Sequence, residues 1–191
     1  MAPKLHILIA STREQRGGTA VAEWFVEEAK KHGQFELQLV DLKAVNLPLL
    51  DEPHHPSLRR YEHDHTKAWS RTIAAADAFV FVVPEYNYGM PPALLNALDY
   101  LVHEWSYKPA GFVSYGGVSG GTRSVQMTKQ VLTTLKVVPL PEAVVLPFFT
   151  KSLDADKKFE PGEALKKPVT TMLDELLRWT NALRSLRSPS S

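Results

Sequence analysis

The chain contains no cysteine, which excludes a disulfide framework, a thiol nucleophile and a thiolate metal site. It also has no excess of either charge, because 22 Lys and Arg residues face 21 Asp and Glu residues and the net charge is +1. That balance gives no reason to expect nucleic acid or an anionic membrane as a partner. No apolar run approaches the roughly 20 residues of a membrane-spanning helix, and no signal-peptide segment opens the chain. These absences predict a soluble, cytoplasmic protein.

The chain does contain enough hydrophobic residues for a substantial core, 44% of its 191 residues. This length suits one domain, which we expect over residues 1–186, with 187–191 as a frayed C-terminal tail. Short apolar runs of strand length alternate with amphipathic segments throughout that domain. The predicted strands are 5–10, 35–42, 78–83, 110–114 and 144–146, and the predicted helices are 20–31, 66–76, 91–103, 124–135 and 163–186.

Alternating strands and helices predict an α/β protein with a parallel sheet covered by helices on both faces. In such a sheet, the loops that follow the first, third and fourth strands leave from the same edge. Open α/β sheets bind ligands at this carboxyl edge, where the strand order reverses. The three most distinctive loops of the sequence follow these three strands, so we expect a ligand site where they meet.

The first loop, residues 11–19, precedes a helix whose backbone N–H groups and positive dipole end can receive a phosphate. Ser11 and Thr19 add hydroxyl groups, and Arg13 and Arg16 add charged donors. A solvated turn with Thr19 as an ordinary helix N-cap explains the same pattern, so both interpretations stay open. The loop matches neither a Walker P-loop nor GxGxxG, which argues against an ATPase or a dinucleotide-type Rossmann site.

The second loop, residues 84–89, has Tyr86 and Tyr88 to offer aromatic faces or edges to a planar ring. The alternative is an ordinary loop in which Asn87 and Gly89 only make the turn. The third loop, residues 115–122, contains four glycines. These let the backbone approach a ligand closely, or they only permit positive φ angles in a flexible turn.

Two strings in these loops carry a resemblance to a known family. They are Pro84-Glu85-Tyr86-Asn87 with Asn96-Ala97-Leu98-Asp99, and Ser114-Tyr115-Gly116-Gly117 before Gly120-Gly121-Thr122-Arg123. The chain resembles the NAD(P)H-dependent FMN reductases, a flavodoxin-like family that includes quinone, azo-dye and chromate reductases. The resemblance implies a flavodoxin-like three-layer sandwich, with a five-stranded parallel sheet in the order 2-1-3-4-5 and helices on both faces.

The resemblance also implies a noncovalently bound FMN. Its phosphate would be held by the first loop, and its isoalloxazine ring by the second and third loops. The implied phosphate contacts are Ser11, Arg13, Arg16, Gly17, Gly18 and Thr19, and the implied ring contacts are Pro84, Glu85, Tyr86, Asn87, Ser114, Tyr115, Gly116 and Gly117. No catalytic acid or base is assigned, because the flavin carries the redox chemistry.

The implied reaction is a ping-pong one, in which NAD(P)H gives a hydride to the flavin and leaves before the acceptor binds. The acceptor would be a small molecule such as a quinone, an azo compound or free flavin. The family usually forms homodimers or homotetramers, which the apolar segment 91–103 would suit. The alternatives are a flavodoxin-type electron carrier, disfavoured by the net charge of +1, and a flavin-sensing regulatory protein.

Four of the seven histidines lie between residues 54 and 65. Imidazole binds several transition metals, but this segment is rich in proline, so we expect no metal and favour a lid or subunit contact. Trp105 and Tyr107 follow the helix predicted at 91–103. They could wall a substrate pocket, form a dimer seam or simply pack in the core.

Overall fold

The computed structural model describes residues 2–187. Its five strands form one parallel sheet in the order β2-β1-β3-β4-β5, which confirms the predicted sheet. The reversal of order at β1 and β3 is the flavodoxin-like switch point. The strands are β1 Lys4–Ile9, β2 Glu36–Asp41, β3 Ala78–Pro84, β4 Pro109–Gly116 and β5 Val138–Pro147.

Helices cover both faces of this sheet, giving the predicted three-layer sandwich. Side chains alternate across β1. Leu5, Ile7 and Ile9 therefore pack beneath the first and last helices on one face, while Leu8 packs beneath the helices on the other face. β3 is buried along its whole length, as expected for a central parallel strand. The helices in the described residues are α1 Gly18–His32, α2 Leu42–Val45, α3 Asp64–Ala74, α4 Pro92–Asp99, α5 Thr122–Thr134 and α6 Lys166–Arg187.

β5 is much longer than the predicted 144–146. It is an edge strand whose first half is only partly buried, so the sequence signal for that half is weak. Pro139 and Pro141 interrupt its apolar pattern, and proline is tolerated on an edge strand. A register shift opposite Ala110 and Phe112 accompanies this irregular half. The sequence therefore lacks the continuous apolar run that marked the other strands.

Two predicted helices have an end that lies three or more residues from the predicted position. The segment predicted as one helix over 91–103 ends at Asp99, because the chain turns to bury Trp105 between Trp69 and Phe79, with ring centroids 6.0 and 5.0 Å away. Trp105 is therefore a core residue. α6 begins at Lys166, and Pro168 lies in its first turn, where the missing N–H costs no hydrogen bond.

The predicted C-terminal tail is only partly described. Arg187 is the last residue of α6 and forms an ion pair with Asp77, Nη2 to Oδ1 at 3.2 Å. Residues 188–191 lie outside the described part of the chain. Within residues 2–187, no helix combines the length and the apolar character needed to cross a bilayer.

The segment between β2 and α3, residues 42–63, contains α2 and a short 3-10 helix, Pro56–Leu58. It lies against α4, where the Asn96 amide donates to Pro48 O at 2.7 Å and accepts from Leu50 N at 2.9 Å. Two of the four histidines between residues 54 and 65 contact carboxylates, His54 Nε2 with Glu62 at 3.3 Å and His65 Nε2 with Asp51 at 3.0 Å. Within residues 2–187, no group of three or more His, Cys, Asp or Glu side chains is arranged to hold a metal.

Candidate active site

The three distinctive loops meet at the carboxyl edge of the sheet, because β1 pairs with β3 and β3 pairs with β4. Ser11 Oγ lies 2.6 Å from Tyr86 OH, which joins the first loop to the second. Ser119 Oγ donates to Glu85 Oε2 at 2.9 Å, which joins the third loop to the second. Gly18 packs against the Tyr115 hydroxyl, which joins the first loop to the third. The structure thus brings together residues from all three loops.

The helix after the first loop begins earlier than predicted. α1 starts at Gly18, and its N-cap is Gly17, which has no side-chain capping bond. Thr19 lies in the first turn, so the interpretation of Thr19 as an N-cap is wrong. The first backbone N–H groups of a helix need partners from outside the helix. Here no side chain supplies one at the N-cap, and the helix end remains available to an anion.

The two arginines of the first loop differ in their surroundings. Arg16 is largely buried and forms an ion pair with Asp41, at the end of β2, while its Nη1 donates to Arg13 O at 3.3 Å. Arg13 is exposed. Arg16 therefore fixes the shape of the loop, and its buried Nε still lacks a hydrogen-bond partner. Asp41 was not singled out in the sequence, although its place at a strand end on this edge is a usable signal.

Several buried hydroxyl groups at the site have no partner in the structure. Tyr115 OH and Ser114 Oγ are both orphaned in this way. Burial, reinforced by the neighbouring Tyr86, raises the pKa of the Tyr115 phenol well above its usual value. The phenol therefore stays protonated and able to donate. Buried polar groups without partners are uncommon and call for an explanation such as an absent ligand or water.

The second loop is a tight hairpin. Tyr86 and Gly89 exchange two backbone hydrogen bonds of 3.0 and 2.9 Å, and the central residues Asn87 and Tyr88 both have positive φ, 48° and 69°. This two-residue turn suits Asn at its first position but normally takes Gly at the second. Tyr88 is thus held in a strained conformation. Its ring is 70% exposed and lies beneath the Arg123 guanidinium, 3.9 Å from centroid to Cζ.

Glu85 is a clamp between the second loop and α5. Its carboxylate accepts from Ser119 Oγ, from Arg123 N at 3.2 Å and from Arg123 Nε at 2.8 Å. Burial alone would raise the Glu85 pKa, but the hydrogen bonds from Ser119 and Arg123 outweigh it and lower the pKa. Three hydrogen bonds therefore hold Glu85 as an anion.

The third loop leaves backbone open at the site. A Cβ added to Gly117 would meet nothing within 4 Å, whereas Gly120 and Gly121 have φ of 58° and 85° and need glycine for their conformation. Gly117 O accepts from Phe148 N at 3.0 Å, so this open backbone is also fixed in place. A flat ligand could therefore approach the Gly117 backbone closely.

One aromatic residue at the site was missed in the sequence. Phe149 follows β5 and packs edge-on against Tyr115, with ring centroids 4.9 Å apart, and its ring also lies against Gly17. Its place after a strand end on this edge was the available signal. Together, the uncapped start of α1, the orphaned hydroxyl groups and the open Gly117 backbone fit a ligand with a phosphate and a planar ring, as FMN has.

Comparison with known proteins agrees with this geometry. The profile of the NADPH-dependent FMN reductase family matches residues 3–151. The NAD(P)H-dependent FMN reductase of Schizosaccharomyces pombe is 44% identical over 149 residues, 76% of this chain and 74% of the relative. An NADPH azoreductase of a Bacillus species is 30% identical over 142 residues, 73% of this chain and 75% of the relative.

A solved structure shows the same fold. The flavoenzyme NAD(P)H:(acceptor) oxidoreductase from Paracoccus denitrificans has a TM-score of 0.73 at 20% identity, covering 94% of this chain and 98% of that chain. The family profile extends through all three loops of the site. The chain belongs to the NADPH-dependent FMN reductase family, which confirms the predicted enzyme class, the FMN cofactor and the NAD(P)H donor.

Proposed function

We propose that this chain passes reducing equivalents from NAD(P)H to a small-molecule acceptor in a ping-pong reaction, with FMN bound noncovalently at the carboxyl edge of the sheet. The observation that carries the proposal is the meeting of three loops with unsatisfied donors at this edge. FMN, when bound, supplies the hydride-accepting and electron-donating chemistry. The protein supplies the binding, the orientation and the exclusion of water.

The phosphate belongs at the first loop. Ser11, Tyr115 OH and the uncapped N–H groups of α1 are the donors at this loop, and Arg13 and Arg16 add positive charge. Gly17, Gly18 and Thr19 form the first turn that would lie against the phosphate. Because Asp41 balances the charge of Arg16, we assign Arg16 to shaping the loop as well as to binding.

The isoalloxazine ring belongs between the second and third loops. The backbone of 84–87 would meet its polar edge, and the backbone of 114–117, open at Gly117, would lie along its face. The Glu85 clamp holds these two loops at a fixed separation. No side chain is assigned as acid or base, because the flavin carries the redox chemistry.

The acceptor, in this proposal, is a quinone, an azo compound or free flavin that takes the place left by the nicotinamide. The Bacillus relative named an azoreductase supports the azo class. A ping-pong reaction gives parallel double-reciprocal lines when NADPH is varied at several fixed acceptor concentrations. Intersecting lines would contradict the ping-pong mechanism, in which nicotinamide and acceptor use the same place in turn, but would leave the family assignment intact.

We also propose a homodimer or homotetramer. Large apolar side chains stand exposed on loops next to the site, including Leu49 at 83%, Val118 at 76% and Tyr88 at 70%. Clustered exposed apolar groups are typical of interaction surfaces. Sedimentation equilibrium should show a dimer or tetramer at micromolar concentration, and a monomer there would contradict this part of the proposal.

Ser11→Ala tests the phosphate assignment. Removing the buried hydroxyl should weaken FMN binding about 10- to 150-fold, as expected for a lost hydrogen bond to a charged group. Ser185→Ala, on the exposed side of α6, is the matched control and should leave the affinity unchanged. Titration of flavin fluorescence measures both. Equal affinity of Ser11→Ala and wild type would remove Ser11 from the site.

A further inference from the structure

A second cavity lies at the opposite, amino edge of the sheet. Asp77 immediately precedes β3 and Lys108 immediately precedes β4, which places this cavity across the sheet from the flavin site. Its volume is about 540 Å³, within the usual range of about 300–1,000 Å³ for small-molecule sites. Its polar walls come from the end of α3, the turn after α4, the residue after the 3-10 helix and the end of α6. The polar residues that the argument needs are Arg59, Ser70, Glu104, Lys108, Arg184 and Arg187.

A buried lysine forms part of the wall. Lys108 is only 6% exposed, and its Nζ donates to Ile73 O at 2.8 Å and Ala74 O at 3.2 Å, in the last turn of α3. Within residues 2–187, no carboxylate lies within 4.0 Å of this amine. Burying an ammonium group without an anionic partner is costly. The cavity therefore contains an amine whose charged form would be stabilised by an anion.

Three guanidinium groups border the same cavity. Arg187 is paired with Asp77, but no described carboxylate lies within 4.0 Å of Arg59 or Arg184, and both are exposed. Guanidinium groups match phosphate oxygens in a bidentate geometry. The cavity thus combines two uncommitted guanidinium groups on its exposed side with an amine on its buried side.

The cavity also has a hydrogen-bond acceptor that is not held by a cation. Glu104 accepts from Tyr61 OH at 3.0 Å and from Ser70 Oγ at 2.7 Å, both neutral donors. A carboxylate has about four acceptor positions, so it retains capacity for further hydroxyl groups. Phosphate alone would leave this capacity unused. A ligand that carries both a phosphate and hydroxyl groups uses both parts of the wall.

We propose that this amino-edge cavity is a second binding site, distinct from the flavin site, for a small phosphate monoester that bears hydroxyl groups. Arg59 and Arg184 bind the phosphate, Lys108 adds charge from the buried side, and Glu104 accepts hydrogen bonds from the ligand hydroxyls. The chemistry is shared by sugar phosphates and nucleoside monophosphates, which the experiment separates.

The test is calorimetric titration of the FMN-saturated protein with ribose 5-phosphate, AMP and inorganic phosphate. Prior saturation with FMN prevents these probes from using the flavin site. Binding of ribose 5-phosphate or AMP at least about tenfold tighter than inorganic phosphate supports the proposal, since the ester gains hydrogen bonds at Glu104. The tighter of the two esters identifies the source. The proposal is overturned if neither ester shows saturable binding up to about 10 mM, a concentration that corresponds to a binding free energy of only a few kcal/mol.

Arg184→Gln is the principal variant. Arg184 is exposed, so its replacement should change the free energy of unfolding by no more than about 0.5 kcal/mol. It should weaken ester binding about tenfold or more, the usual effect of losing a charged hydrogen bond. Arg178→Gln is the matched control, on the same helix but paired with Glu175 and outside the cavity. Both variants should keep wild-type NADPH oxidation. Equal weakening by both variants would mean nonspecific charge attraction and would overturn the site.

The pH dependence gives a second readout. Burial and the nearby Arg187 lower the Lys108 pKa to about 7, so a bound phosphate should restore the charge of the amine. Ester affinity should therefore fall as pH rises from about 7 to 8.5, a range in which the phosphate, with a second pKa of about 6, is already mostly dianionic and gains little further charge. A flat profile would remove Lys108 from the site. The charged and titratable groups around Lys108 are His6 on β1, Asp77, His103, Glu104 and Arg187.

Discussion

Gly18→Ala should destabilise the protein and weaken FMN binding, because the new methyl group has no room. A Cβ at Gly18 would overlap the Tyr115 hydroxyl and lie 3.3 Å from Tyr115 Cζ and 3.4 Å from Ile9 Cγ2. Tyr115 is 3% exposed and packs on Phe149, so its ring cannot swing aside. Overpacking of this kind costs about 1–3 kcal/mol. The helix preference of alanine offsets at most about 1 kcal/mol.

The same geometry predicts a rescue. Tyr115→Phe removes the overlapping hydroxyl, which has no hydrogen-bond partner, so this change alone should be neutral or slightly stabilising. In the Tyr115→Phe background, Gly18→Ala should cost less than about 0.5 kcal/mol. The coupling between the two changes should therefore be about 1–2 kcal/mol, within the range for residues in contact.

Urea unfolding of the flavin-free protein measures the four members of this cycle, and flavin fluorescence measures their FMN affinities. Gly117→Ala is the structural control, because its Cβ would meet nothing within 4 Å, and its unfolding free energy should stay within about 0.5 kcal/mol of wild type. If Gly18→Ala is neutral, or if its cost is the same with Phe at 115, the close contact between the first and third loops is refuted.

Three further predictions concern stability. Arg123→Gln leaves Glu85 without its ionic partner and should cost about 1–3 kcal/mol in urea unfolding. The Ser119 hydroxyl and the backbone N–H at position 123 still donate to Glu85, so its pKa should rise only part of the way and the acid side of the stability profile should move to higher pH; an unchanged acid side would contradict the clamp. Tyr88→Gly relieves the positive φ and should raise the unfolding free energy by about 1 kcal/mol, and a loss of stability would argue against strain in this turn. The Lys108 pKa is about 7 in the folded protein, below its ordinary 10.5. Between about pH 7 and 10.5 the unfolded chain therefore binds more protons than the folded protein, and the stability of the wild type should rise with pH. Lys108→Met should flatten this rise in thermal unfolding measured from pH 7 to 10, and an identical slope in both proteins would contradict the burial of a charged amine.

The parts of the fold that could be predicted were those where one physical signal dominates. Residues 79–83 form a continuous apolar run that stops at Pro84, and the strand ends there. β5 was mostly missed because Pro139 and Pro141 break its pattern, which an edge strand tolerates. The helix predicted at 91–103 was too long because apolar spacing does not distinguish a helix from a turn that buries Trp105 in the core.

The loops that meet at the site could be predicted, but the side chains that pair with one another there could not. Parallel topology requires the loops after β1, β3 and β4 to share an edge, so Ser11 and Tyr86 could be expected near one another. The pairing of Arg16 with Asp41 depends on side-chain directions that no local pattern fixes. The Glu85 clamp likewise depends on how α5 approaches the second loop, a packing outcome set by the whole core.

The most direct test of the central claim is a visible absorption spectrum of the protein after incubation with FMN and gel filtration, followed by NADPH under nitrogen. FMN should elute with the protein, and its visible band should bleach promptly on addition of NADPH. Retained FMN that does not bleach would contradict the reductase reaction. If no FMN stays bound and excess FMN gives no NADPH oxidation, the flavin site itself would be refuted.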